Sequence, residues 1–226
     1  MKPHIFLIMA MSLDGKITTR DNQGPRFTSR ADKIRLGQIR SQADAILVGA
    51  GTIIADDPTF TPSKLNREQR LQRGMAANPI KIVVSGTGRV PETAQMFHSK
   101  DAPALVFTTE RISPNRMERL QCVADAVYVV GETQVDFQRA VKILAEEYAV
   151  KQLLIEGGGQ INFALFEAGL IDDVYLTLCP KIIGGRDVPT VVEGEGFDFL
   201  NIVDLELRNH DVVDGEIFLH YRVHHD

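Results

Sequence analysis

Residues 152–168 read QLLIEGGGQINFALFEA, and this stretch decides the fold. Gln152–Ile155 is a short apolar run of strand character, Glu156 and three glycines interrupt it, and Gln160–Ala168 has helical character. A strand that breaks on glycines into a helix is the repeating unit of α/β sheets, whose ligands lie beyond the carboxyl ends of the strands. Without Cβ atoms the backbone can be approached closely, and a helix N-terminus adds free N–H groups and partial positive charge. The same turn would also serve as a tight strand-to-helix passage and nothing more. The spacing is not GxGxxG, so it is not the standard dinucleotide fingerprint.

Working outward, Ile5–Met11 (IFLIMAM) is a continuous apolar run, the pattern of a strand buried on both faces. Ser29 is placed to cap a helix through Gln42, with Ile34, Leu36 and Ile39 among its packing positions. Ala45–Val48, Ile80–Val84, Ala104–Thr108 and Ala126–Val130 read as core strands, Thr52–Ala55 as a brief helical turn, and Arg116–Cys122 and Val135–Tyr148 as helices. Lys64–Asn78 is polar and fits either an exposed helix or a long loop. After residue 172 the character changes. Asp173–Leu178, Leu205–Val212 and Glu216–Val223 read as strands with no helix between them, the last two joined by Asp214-Gly215, a strong hairpin signal. The expected class is α/β, a mostly parallel sheet flanked by helices that finishes in antiparallel strands, in one domain over residues 1–226.

Composition narrows the function. The 226 residues carry 25 Lys and Arg against 30 Asp and Glu, a net charge of −5, and the pI of about 5.7 argues against a nucleic-acid binder. With 44% hydrophobic residues the chain is not of disordered composition. Cys122 and Cys179 are too few for a disulfide framework and are expected to be small buried hydrophobes in a reducing compartment. The first residues lack the features of a signal peptide, and no apolar run reaches the ~18 residues of a membrane span, so the expected setting is cytoplasmic.

Three loops that each follow a predicted strand could carry chemistry. Beside Glu156–Gln160 stands Gly49–Pro58 (GAGTIIADDP), in which the glycines permit close backbone approach, Thr52 offers a hydroxyl and Asp56 can accept from ribose hydroxyls. The alternative there is a helix capped by its own side chains. The third is Ser12–Ile17 (SLDGKI), in which Lys16 could stabilise an anion, orient a substrate or relay a proton, or could be a solvated lysine at a strand end.

Taken together, SLDGKI, DAILVGAGTIIADDP and LLIEGGGQINFALF, with PKIIGG at Pro180–Gly185, closely resemble the pyrimidine reductases of riboflavin biosynthesis. The resemblance covers roughly residues 3–222 and is to the stand-alone form, since the HxE…PCxxC zinc signature of a deaminase is absent from the sequence. It implies a dihydrofolate reductase-like fold, a homodimer, and NADPH-dependent reduction of the ribosyl group of a ribosylamino-pyrimidine 5′-phosphate to the ribityl chain. Residue by residue, it implies cofactor contacts for Thr52 and Asp56 and for the loop Gly157, Gly158, Gly159, Gln160 and Ile161, with Phe27 where some members have a Trp beside the cofactor; the nicotinamide is expected at the end of the first strand, near Ala10–Ser12. It implies substrate contacts for Arg40, Phe60 and Glu156, and a basic role at the reaction centre for Lys16.

Three departures from the family pattern matter. The family's DDPxLTVR is here DDPTFTPSK, so the phosphate-binding Arg is missing and Ser63 or Lys64 would have to serve. Where many members have Asp-Ser, Ser85–Arg89 offers a hydroxyl and a guanidinium with no acid, which favours the 2′-phosphate of NADPH over NADH. Residues 64–78 are longer than the usual connection and read as a solvated insertion or as a lid over the substrate phosphate. In the expected mechanism Glu156 is the counter-charge to an imine formed by ring opening and Lys16 orients sugar hydroxyls; assigning either as the acid is left open. Other readings are a same-fold reductase of a different substrate, such as dihydrofolate, and a nucleotide-binding regulator without catalysis. The choice between the diamino-pyrimidinone and uracil forms of the substrate hangs on one exocyclic group.

Overall fold

A computed structural model describes residues 1–22, 27–99 and 101–225. The chain divides into two compact units, Met1–Pro3 with Gly37–Leu154, and His4–Leu36 with Ile155–Asp226.

The first unit is built from β2 (Ala45–Gly49), β3 (Ile80–Val84), β4 (Ala104–Thr108), β5 (Ala126–Val129) and β6 (Gln152–Ile155), in the order β5-β4-β3-β2-β6. β2, β3, β4 and β5 pair in parallel. Every residue of β2 and β4 is buried, which explains why these strands read as continuous apolar runs with no alternation. Five helices accompany them: α2 (Ala50–Asp56), α3 (Lys64–Gln72), α4 (Gln95–His98), α5 (Pro114–Val123) and α6 (Phe137–Glu147). Their starts are local chemistry. Ser63, Ser113 and Asp136 each accept a hydrogen bond from the backbone N–H three residues on. Because Asp136 is the cap, α6 begins after Val135, which lies outside the helix it was expected to open.

The second unit carries β1 (His4–Ser12), β7 (Asp173–Cys179), β8 (Leu205–Val213) and β9 (Glu216–Val223), in the order β1-β7-β9-β8. β1 and β7 run parallel, whereas β9 is antiparallel to both β7 and β8, as the hairpin signal requires. Asp214 (φ 53°) and Gly215 (φ 81°) supply the two left-handed residues of that turn. Of α1 (Arg30–Arg40), residues 30–36 belong to this unit and Gly37–Arg40 to the first; here the helix is anchored on β7 and β9 through Arg35. Its Nη1 donates to Leu176 O (3.1 Å) and Thr177 Oγ1 (2.9 Å), its Nη2 to Leu219 O (2.8 Å), and its guanidinium lies 4.7 Å from the centroid of Phe218. α7 (Gly159–Glu167) follows the glycine turn.

Several local expectations are corrected. Residues 64–72 form a helix, and Arg70 at its end is buried, so this segment is not simply solvated. Ile34 is 53% exposed and does not pack, because α1 turns Ile39 inward instead. Cys179 is buried as expected, but Cys122 is exposed on α5. Among the described residues no helix is long and apolar enough to cross a membrane.

The N-terminus of α1 depends on a buried carboxylate from a distant strand. Glu216 accepts from both the backbone N–H (2.7 Å) and the hydroxyl (2.6 Å) of Ser29, while the Ser29 hydroxyl accepts from Asp32 N (3.1 Å). Burial and the neighbouring Glu216 push the Cys179 thiol up to about 12, so it stays protonated and donates to that carboxylate (3.5 Å). Glu216→Ala should lower unfolding stability by about 2 kcal/mol, the loss of charge-assisted bonds to a buried acceptor, as read from urea denaturation. A change below about 0.5 kcal/mol would show that Ser29 caps α1 unaided.

Candidate active site

In the second unit the glycine turn is shaped by what a side chain would strike. A Cβ on Gly159 would lie 2.5 Å from Glu193 Cγ and 2.6 Å from Thr190 O, and Glu193 N donates to Gly159 O (3.1 Å), so this residue must be glycine for packing. Gly157 has φ +80° and sits against Met9, and the Gly157–Gly158 peptide is cis. Gly158 differs from both. A Cβ there would meet nothing within 4 Å, so the backbone faces open space at the point where α7 begins. No side chain caps α7, and with Ile161 N donating to Gly158 O (2.9 Å) the N–H groups of Gly159 and Gln160 are left for an outside acceptor. Behind the turn the fully buried Asn162 donates Nδ2 to Val191 O (2.6 Å), while its Oδ1 has no partner among the described residues. An open glycine backbone, uncapped N–H groups and an unused buried acceptor together suit a ligand that carries phosphate and hydroxyl groups.

Lys16 and Glu156 belong to this same unit, and both are half-buried. Lys16 is not a solvated strand-end lysine. Its ammonium donates to Val188 O (2.8 Å), and its backbone bridges Thr190. Among the described residues two ammonium protons remain beyond that bond. The segment 181–190 is also held elsewhere: Leu13 N donates to Lys181 O (2.8 Å) and Ile17 N to Pro189 O (3.0 Å). Asp14 completes the attachment by accepting from Ile183 N (3.1 Å), Gly184 N (2.6 Å) and the Ser12 hydroxyl (2.7 Å). Asp14 is a functional residue the sequence alone does not single out, although Asp-Gly after a buried strand signals a constrained turn. Ala10 lies in β1 opposite Thr177, and Phe27 is half-buried just before α1.

The first unit holds the remaining candidates. Thr52 is half-buried and Asp56 exposed on α2. Asp57, the next residue, caps α2 in a left-handed conformation and accepts from Gln95 N (2.8 Å). The Arg40 guanidinium lies 5.8 Å from the Phe60 ring centroid, so these two expected substrate contacts are brought together. Ser63 spends its oxygen as the cap of α3, accepting from Asn66 N (3.2 Å), and Lys64 follows exposed. Ser85 accepts from Arg89 N (2.9 Å), which closes the turn after β3. Arg116, which sequence reasoning missed, donates to Thr87 O in that turn (3.2 Å).

Residues 3–219 match the family model described as the RibD C-terminal domain. The chain belongs to that family. A relative from Aquifex aeolicus, a 2,5-diamino-6-ribosylamino-4(3H)-pyrimidinone 5′-phosphate reductase, is 33% identical over 98% of this chain and 97% of its own length. The crystal structure of a pyrimidine reductase-like protein from Corynebacterium diphtheriae superposes with a TM-score of 0.88 over 99% of this chain and 93% of that one, at 24% identity. Dihydrofolate reductase from Enterococcus faecalis superposes with a TM-score of 0.51 at 12% identity, covering 97% of this chain and 96% of that one. The RibD C-terminal domain here therefore has the dihydrofolate reductase-like fold expected from its sequence.

The three donors around Asp14 hold its carboxyl down to about 2, the Ser12 hydroxyl most strongly and then the amides of Ile183 and Gly184. A lowered carboxyl pKa means the attachment is complete above the ordinary value and is lost as pH falls through the folded one. The Asp14 carboxyl carbon should therefore titrate near pH 2 in NMR, and the Ile183 and Gly184 amide shifts should move with it. A midpoint near 4 would show that the two amides do not bind it in solution.

Proposed function

We propose that this protein is an NADPH-dependent reductase, in one domain over residues 1–226, that converts the ribosyl group of 2,5-diamino-6-ribosylamino-4(3H)-pyrimidinone 5′-phosphate to its ribityl form. The observation that carries the cofactor reading is the open backbone at Gly158, where uncapped N–H groups of α7 and the unused Oδ1 of Asn162 suit a dinucleotide. The diamino form is chosen because a relative matched over 97% of its own length carries that name.

In this reading the pyrophosphate lies over the Gly157–Gly159 turn, Gln160, Ile161 and Phe27 are further cofactor contacts, and the nicotinamide reaches Ala10. Thr52, Asp56 and Ser85 of the first unit are further cofactor contacts, and Arg89 with Arg116 favours a 2′-phosphate over a free hydroxyl. Arg40, Phe60, Ser63 and Lys64 contact the substrate, the last as a point charge toward its phosphate. When bound, NADPH supplies the hydride; the protein supplies position and field. Opening of the ribosylamine gives an imine whose cationic character Glu156 offsets, which makes the sugar carbon a better acceptor. Lys16, fixed by Val188 O, turns its remaining N–H groups to the sugar hydroxyls. A cytoplasmic setting and a homodimer complete the proposal. The dimer is supported by β8, whose residues from Leu205 to Val212 are all exposed at a sheet edge.

The decisive assay follows NADPH oxidation with the diamino-pyrimidinone phosphate, its uracil counterpart and dihydrofolate. Turnover with the first alone is expected, with NADH a poor donor. Turnover with dihydrofolate only would make this a same-fold reductase of another substrate. In the same assay Glu156→Gln should lower kcat about 100-fold while NADPH affinity changes less than about threefold, since the carboxylate acts on the developing charge. Equal losses in both would contradict that role.

The glycines separate fold from binding. Gly158→Ala should leave the melting temperature unchanged and weaken NADPH binding about tenfold or more, as read by fluorescence titration. Gly159→Ala should instead destabilise the protein by at least about 1–3 kcal/mol through overpacking against Glu193 and Thr190. Unchanged NADPH affinity in Gly158→Ala would remove the turn from the cofactor site.

A further inference from the structure

Arg70, 1% exposed and on α3, is the largest fully buried side chain among the described residues. A buried cation is costly unless its donors are used. Here they meet backbone carbonyls. Nε donates to Ala76 O (2.8 Å), and Nη1 donates to Ala43 O (2.5 Å) and at longer range to Arg40 O and Ser41 O (3.4 Å each). These last three carbonyls belong to the end of α1 and the residues just past it, where helix geometry leaves carbonyls short of partners and partial negative charge collects.

A second tie lies one turn earlier on both helices. Asn66 Nδ2 donates to Gly37 O (2.9 Å), and a Cβ on Gly37 would come within 3.0 Å of that nitrogen. α3 therefore lies along the last turn of α1, joined to it at Asn66 and Arg70. Its start is fixed by the Ser63 cap, three residues after Phe60. Phe60 is itself constrained: buried, left-handed at φ 57°, with its ring facing the Arg40 guanidinium. The backbone of Arg40 is thus held by Arg70, and the ring beneath its side chain by the chain leading into α3.

We propose that α3 is a splint and Arg70 a positioning residue, which set the guanidinium of Arg40 for the pyrimidine phosphate without touching substrate themselves. This rests on the substrate role proposed above for Arg40 and Phe60. Residues 64–72 are then neither a solvated insertion nor a mobile lid, but the outer support of the substrate side of the first unit. Misplacing a binding group by about 1 Å can cost up to about 100-fold, so a support need not contact the ligand to govern its affinity.

The test compares wild type, Arg70→Lys, Asn66→Ala, Arg40→Lys and the Arg40→Lys/Arg70→Lys double variant by steady-state kinetics, NADPH titration and thermal melting. Arg70→Lys and Asn66→Ala should each raise KM for the pyrimidine phosphate about tenfold. Their kcat should stay within about threefold of wild type and their NADPH affinity within about twofold. The double variant should be no worse than Arg40→Lys alone, because Arg70 acts through Arg40. Unchanged KM in folded single variants overturns the proposal, as do additive losses in the double variant. A parallel fall of KM performance, kcat, NADPH affinity and melting temperature also overturns it, and leaves α3 a stability element. Absence of pyrimidine turnover in wild type is a different failure, that of the proposed function itself.

Discussion

A carboxylate on a short loop can restrain a distant segment only by capturing its backbone amides, since these are the donors every sequence provides. Asp14 does this in the second unit. By taking the N–H groups of Ile183 and Gly184 it ties 181–190 to the end of β1. The same segment supplies Val188 O, which fixes the Lys16 ammonium, and Thr190, which borders Gly159. The lysine proposed for the reaction centre and the turn proposed for the cofactor are therefore both referenced to one strap, which an exposed carboxylate helps to hold.

The same principle recurs at three other charges. Glu216 takes the amide and hydroxyl of Ser29, Arg35 gives its donors to carbonyls of β7 and β9, and Arg70 gives its donors to carbonyls at the end of α1. Asp173, only 2% exposed, is met by side chains: it accepts from His220 and Arg222 and faces His4. Charges satisfied by backbone fix the chain's path more tightly than surface ion pairs would, since a carbonyl cannot swing away as a lysine can.

The glycine turn shows how packing and binding share one motif. Gly159 is required because Thr190 and Glu193 leave no room for a side chain, whereas Gly158 faces open space. A triple glycine thus combines an architectural residue with one free for a ligand. Membership of the RibD C-terminal domain family gives that freedom a chemical context, and the open turn supports a cofactor there on physical grounds alone.

The order of strands and helices was legible in the sequence, because apolar runs, Ser and Asp caps and the Asp214-Gly215 turn act over a few residues. The family was legible too, since its loops keep their spacing. What the sequence could not determine were partners far along the chain. Asp14 meets Gly184 across 170 positions, and Arg70 is buried although its neighbours are polar. Ile34 and Cys122 look like core residues and are exposed, because helix rotation, not composition, decides which face packs. Backbone amides and carbonyls leave no mark in a sequence, so only the tertiary structure could show which ones these charges would find.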